Sequence, residues 1–223
     1  MPRLNISMSC APLDRSAILA VIDEVERFPF GALTHLDDLL GPVGPPLSRA
    51  DVDAALRRKE VLLTLSRGDG DTAVVLGIRR RKHGSFLSLT VGDASLPTTW
   101  PLLADQARAW AVGLPAVTSG NVGDANVDLP RVHDALGLGR PPACFTTHLR
   151  WRHYRAPSFS GLFFAPGDLC ATPAYTVTTL ANGVVELTFF RGPFDWDGEQ
   201  ARGSLVACTE WLNAKDRFLS GMA

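Results

Sequence analysis

Four short stretches of this 223-residue chain concentrate side chains able to do chemistry. In His35-Leu36-Asp37-Asp38, one imidazole and two carboxylates fall within four residues, the donor types that ligate a metal or divide acid and base work. The plainer reading is a solvated helix start, where Asp complements the dipole. Residues 135–167 contain no Asp or Glu, yet carry Arg140, Arg150, Arg152 and Arg155 with His148 and His153. On an extended strand His148, Arg150 and Arg152 share one face, while Leu149 and Trp151 turn to the core. That makes a cationic ridge suited to an acidic protein surface, a phosphate or nucleic acid. On an edge strand the same charges merely guard against aggregation. His148 and His153 offer a second place for an enzymatic pair.

The opposite sign gathers at Asp195-Trp196-Asp197-Gly198-Glu199. Carboxylates are favoured at a helix N-terminus, so stability alone can explain them. A large aromatic with a charged rim is also the composition of an interface anchor. Exposure separates the two. The fourth stretch, Arg79–His83, is read as solvent-exposed punctuation at a hairpin turn. The four cysteines, Cys10, Cys144, Cys170 and Cys208, form no C-x-x-C pair and read as reduced thiols behaving as small apolar side chains.

No phosphate-binding glycine loop, zinc-protease motif, EF-hand loop or nucleophile elbow is present, and no cofactor is expected. With 22 Lys+Arg against 23 Asp+Glu, the formal net charge of −1 excludes a uniformly basic nucleic-acid binder. No apolar run reaches the roughly 18–20 residues of a membrane helix, and the first residues lack the apolar run of a signal peptide. The expected compartment is the cytoplasm. Nothing in the sequence fixes an oligomeric state.

The elements that must hold these groups follow from periodicity. Leu4, Ile6, Met8 and Cys10 alternate with polar residues as a first strand. Asp14 caps a helix whose Ile18, Val21, Ile22, Val25 and Phe28 share one face. An irregular crossing to Leu47 leads to a short helix opened by Ser48 and Asp51. An antiparallel meander is predicted through Val61–Leu65, Ala73–Arg79 and Phe86–Val91. Thr99 is the expected cap of the next helix, with Pro101 in its first turn and Leu102, Leu103, Gln106, Ala107 and Trp110 on or near one face. A polar loop over Thr118–Asn126 and a short helix over Pro130–Leu136 follow. Then come alternation from Phe145 to Tyr154, an apolar strand Gly161–Phe164, and a hairpin pairing Tyr175, Val177 and Thr179 with Val185, Leu187 and Phe189 across Asn182-Gly183. Asp195 or Asp197 starts a last helix with Ala201, Leu205, Cys208 and Leu212 on its core face. The expectation is a single α+β domain of residues 1–223, a mostly antiparallel sheet with helices on its faces. Its strand-then-helix order suggests pseudo-halves 1–115 and 140–223.

The run Ser160-Gly161-Leu162-Phe163-Phe164, then Asn182-Gly183-Val184-Val185-Glu186-Leu187-Thr188, then Pro193-Phe194-Asp195 before a last helix, resembles the C-terminal part of the immunity protein 52 family. The opening strand and helix, and the helix with Trp100 and Trp110, fit the same order. The resemblance covers about half of the chain. It departs at Trp196-Asp197-Gly198-Glu199, where that family tends toward an Asn-Pro-Glu-His-like helix start. These are small bacterial α+β proteins of polymorphic-toxin and type VI secretion loci. What the resemblance implies is a non-enzymatic inhibitor that binds one cognate toxin. On the charge balance and the lack of a long apolar run, neither nucleic acid nor membrane is expected as partner. The candidate contacts read from the sequence are His148, Arg150, Arg152, Asp195, Trp196, Asp197 and Glu199. The alternative is a cytoplasmic enzyme of unrecognised class, its site built from His35, Asp37 and Asp38 or from His148 and His153.

Overall fold

The first strand organises the molecule. Leu4, Ile6, Met8 and Cys10 of β1 (Arg3–Cys10) are buried, and Asn5 and Ser9 on the other face are half-exposed. The computed structural model describes residues 1–29, 33–37, 48–67, 73–138, 149–165 and 167–216, with His35–Asp37 described by backbone alone. After β1 come α1 (Arg15–Glu26), β2 (His35–Asp37), α2 (Arg49–Leu56) and the meander β3 (Val61–Arg67), β4 (Val74–Arg81) and β5 (Gly84–Gly92). Then follow α3 (Leu96–Gly113), β6 (Ser119–Asp124), α4 (Leu129–Ala135), β7 (Arg152–Arg155), α5 (Pro157–Ser160), β8 (Thr176–Thr179), β9 (Val185–Thr188) and α6 (Glu199–Lys215). All nine described strands join one antiparallel sheet in the order β2-β3-β4-β5-β1-β6-β7-β9-β8. The α+β class is the one the periodicity predicts.

Helix α1 packs on β4, α2 on β3, and α3 on β1 and β6. Their apolar faces meet Leu63, Leu65, Leu76, Ile78, Leu87 and Leu89, all 2% exposed or less. Asp14 accepts the Ala17 N–H at 2.8 Å and so starts α1, while Ser48 accepts the Ala50 N–H at 3.2 Å and starts α2. No described element covers the opposite face of β3, β4, β5 and β1, where Thr64, Gly77, Ser88 and Asn5 are half-exposed. Around β7 and β9 both faces are covered, and all four residues of β9 are buried.

Five expectations are corrected. Residues 119–124 are a strand, not part of a loop, because β1 and β7 pair with them on either side. α3 starts at Leu96, not after Thr99: Asp93 accepts from the Ser95 N–H at 2.7 Å and turns the chain early, leaving Pro101 inside the helix and Leu102 48% exposed. Gly161–Phe164 follows the short helix α5 in a turn, with Leu162 62% exposed, so it is not a strand. β7 is interior to the sheet, not an edge. The last helix begins at Glu199, with Gly198 as its N-cap, so neither Asp195 nor Asp197 opens it. The hairpin register holds: Val177 faces Leu187 and Thr179 faces Val185. Its turn closes by Gly183 N–H to Leu180 O at 2.9 Å, with Gly183 at φ +81°, the left-handed position that favours glycine.

Candidate functional site

Expected as a solvated cationic ridge, Arg150 and Arg152 are instead held within the fold. The register Arg152↔Thr188 and Tyr154↔Glu186 puts Arg152, Tyr154 and Glu186 on the face that α3 covers. Arg108 of α3 meets Glu186 with two N–H donors, and Arg152 lies 3.5 Å from the same carboxylate. The Arg152 guanidinium also stacks 4.3 Å from the centre of the Trp151 ring. The Glu186 side chain is 2% exposed and that of Arg152 12%. Burial raises the Glu186 carboxyl, but the Arg108 hydrogen bond and the two guanidinium charges outweigh it and hold it below its ordinary 4.5. Burial, then the Glu186 charge, pushes the Tyr154 phenol up and keeps it protonated. This is an internal ion-pair cluster.

Arg150 lies over Gly123, where a side chain at 123 would come within 3.0 Å of the Arg150 Cβ. Burial lowers the Arg150 guanidinium, and the Asp124 charge opposes that shift. The Arg150 backbone N–H donates to His153 Nε2 at 2.8 Å. His153 is fully buried, and burial followed by the charges of Arg155 and Arg150 holds its pKa well below 6.5, so the ring stays neutral. Arg155 is 3% exposed and donates to Gly120 O at 3.0 Å and Tyr154 O at 2.7 Å. As predicted, Leu149 and Trp151 are core residues, the indole N–H of Trp151 donating to Phe190 O at 2.8 Å.

The acidic stretch stands differently. Asp195, Asp197 and Glu199 are exposed and Trp196 is half-buried. Glu199 alone lies in the first turn of α6, where the dipole accounts for it. The two aspartates precede the helix, and Gly198 caps it without a side-chain bond. The turn that presents them closes by Asp195 N–H to Gly192 O at 3.1 Å and Gly198 N–H to Asp195 O at 3.2 Å. Trp196 then meets two spaces. Toward the core it lines a small cavity with Gly123, Arg150, Trp151 and Leu205. Toward solvent it walls an open groove of about 400 Å³ against α4, with Val132 and Leu136 among the lining residues and Arg131 and Arg202 exposed beside it. Asp128 caps α4 by accepting the Arg131 N–H at 3.3 Å and so sets that wall. The structure thus brings Arg150 and Trp196 to the walls of one small cavity.

The groove residues of α4 were missed in the sequence because a seven-residue helix offers too few turns for an apolar stripe to stand out. The side chains of His35 and Asp37, and all of Asp38, His148 and Cys144, lie outside the described residues. Among the described residues no three His, Cys, Asp or Glu gather as a metal site. Burial pushes the Cys10 thiol up to about 11 and the Cys208 thiol up to about 12, in keeping with small apolar behaviour. Cys170, expected to behave likewise, is exposed. No described helix is long and apolar enough to cross a membrane. No family model, curated protein or solved structure matches the chain.

Proposed function

We propose that the protein is a non-enzymatic, immunity-type binding protein of the cytoplasm that neutralises a cognate bacterial toxin by occlusion. The observation that carries this reading is Trp196: a half-buried indole walling an open groove that Asp128, Arg131 and Arg202 also line, with Asp195, Asp197 and Glu199 exposed beside it along the chain. An aromatic anchor beside an apolar recess, ringed by charge, is what a protein hot spot requires. The partner is a protein that inserts an apolar side chain against Trp196 and sets Lys or Arg against the acids. Arg150 enters only through the small cavity it lines with Trp196, and Arg152 only as part of the internal cluster. The resemblance to the immunity protein 52 family supplies the toxin as the class of partner.

The test is coexpression with the product of the adjacent gene, followed by affinity measurement. Trp196→Ala is expected to weaken binding roughly 30-fold or more, as loss of a hot-spot residue does. Asp197→Lys is expected to act mainly by slowing association, with a weaker salt dependence. A complex indifferent to both substitutions, or no complex and no rescue of growth, overturns the proposal.

A further inference from the structure

The basic run Arg79–His83 is not isolated on the folded surface. The register Val61↔Arg80 and Leu62↔Arg79 carries the end of β4 alongside the start of β3, next to the turn Arg57-Arg58-Lys59-Glu60 that follows α2. Arg80 fastens the two together. Its guanidinium donates to Leu13 O at 3.4 Å and Leu56 O at 3.0 Å, and also to Arg58 O. Three backbone carbonyls from two segments thus hold one side chain, which fixes the end of α2 against the β4–β5 hairpin. Residues 57–60 and 79–83 together carry seven Lys and Arg and a single carboxylate, Glu60. Arg57, Arg58, Lys59, Arg81 and Lys82 are all exposed, and none makes an ion pair among the described residues.

The open face of the sheet adds an apolar feature. Arg79 stands between Leu62 on β3 and Phe86 on β5, directly opposite each in the register. Leu62 is 60% exposed and Phe86 43%, both among the exposed large apolar side chains of the described residues. Arg79 and Arg81, with Glu60, line both a concavity of about 360 Å³ on the Arg58 and Leu62 side and one of about 650 Å³ on the Lys82, His83 and Phe86 side. A polyphosphate backbone would use the guanidiniums and leave Leu62 without a role. A stacked base would use Phe86 and do the same.

We infer that this corner is a docking surface for an acidic protein: a partner segment whose carboxylates meet the ring of arginines and lysines, and whose apolar side chains cover Leu62 and Phe86 about Arg79. Guanidinium between apolar neighbours, with a charged rim, matches the composition of interface centres. The surface lies at the Ser9 and Thr118 end of β1 and β6, while the Trp196 groove lies beyond their Leu4 and Asp124 end. The length of β1 separates them, on the order of 20 Å at about 3.3 Å per residue. The corner is therefore a second surface, independent of the reading placed on Trp196.

The test is fluorescence anisotropy with three labelled probes on the full chain: a peptide alternating Glu with Leu and Phe, a poly-Glu peptide, and oligo-dT. The mixed peptide is expected to bind in a salt-dependent way and more tightly than the other two. The double substitution Arg79→Glu with Arg81→Glu should weaken it roughly tenfold or more, and so should Leu62→Ser with Phe86→Ser. All four side chains are exposed, and circular dichroism of each variant confirms that the fold is kept. Trp196→Ala should leave the affinity unchanged. Oligo-dT or poly-Glu binding as tightly as the mixed peptide, or mixed-peptide binding that ignores Leu62 and Phe86, overturns the inference in favour of a polyanion site. Absence of mixed-peptide binding overturns it outright.

Discussion

Glu186 shows how a residue that reads as an ordinary strand position controls its neighbourhood. It sits opposite Tyr154, receives two hydrogen bonds from Arg108 and faces Arg152. Arg108 is half-exposed and can turn to water if the pair breaks, but Arg152 cannot. Glu186→Gln leaves that guanidinium buried without its counter-charge, which costs about 3 kcal/mol. Acid should reproduce the loss. The folded carboxyl lies below its ordinary 4.5, so its contribution is complete above that value and disappears as pH falls through the folded pKa. Urea unfolding at a series of acidic pH values should show the parent losing stability below about pH 4.5 and Glu186→Gln losing less, so the two curves converge. Parallel curves would mean that Glu186 is not the titrating group. His153 adds an earlier step of the same sign: its pKa is depressed, so stability begins to fall as pH drops below 6.5. None of this cluster was legible in the sequence. Its members come from α3, β7 and β9, and only the pairing register gathers them.

At the scale of elements, legibility tracked how far a local pattern agreed with the tertiary contacts. Four of the five α1 stripe residues, the α6 face and one side of the β3–β5 meander are buried, because each meets the same core, while Phe28 falls beyond the end of α1 and is half-buried. β6 could not be read, since Ser119-Gly-Asn-Val-Gly-Asp124 has little strand propensity and takes its conformation from β1 and β7. Two glycines test this distinction. A Cβ at Gly120 would fall 2.2 Å from Met8 Sδ and 2.9 Å from the backbone oxygen of Ser7. The thioether can move but the carbonyl is fixed in the β1–β6 ladder, so Gly120→Ala should destabilise by about 1–3 kcal/mol. Gly203 lies inside α6, exposed, with nothing within 4 Å of its added Cβ. Gly203→Ala should therefore stabilise by roughly 0.5–1 kcal/mol through lost unfolded-state freedom and better helix propensity. Thermal melts of the two variants should move in opposite directions. A rise in both would show that β6 has room the ladder does not reveal.

The whole molecule turns on β1, the first strand in sequence and the middle one in the sheet. Its partners are β5 on one side and β6 on the other, so a segment near the start of the chain is completed only by residues 84–92 and 119–124. The strand-then-helix repeat suggests pseudo-halves 1–115 and 140–223, but β6 falls between them and pairs with both β1 and β7. Cutting there strips one edge of β1 and exposes a row of unpaired N–H and C=O groups beside a fully apolar core face. Arg155 crosses the same seam by donating to Gly120 O. The indoles report on both sides of it: Trp110 on α3, Trp151 before β7, and Trp211 on α6. If the sheet is one cooperative body, far-ultraviolet circular dichroism and tryptophan fluorescence should trace a single coincident transition in urea. A fragment of residues 1–115 should then melt broadly or aggregate, since its β1 edge is bare. Two separated transitions in the intact chain, or a sharp transition in the fragment near that of the parent, would make the halves independent units and β6 a mere bridge.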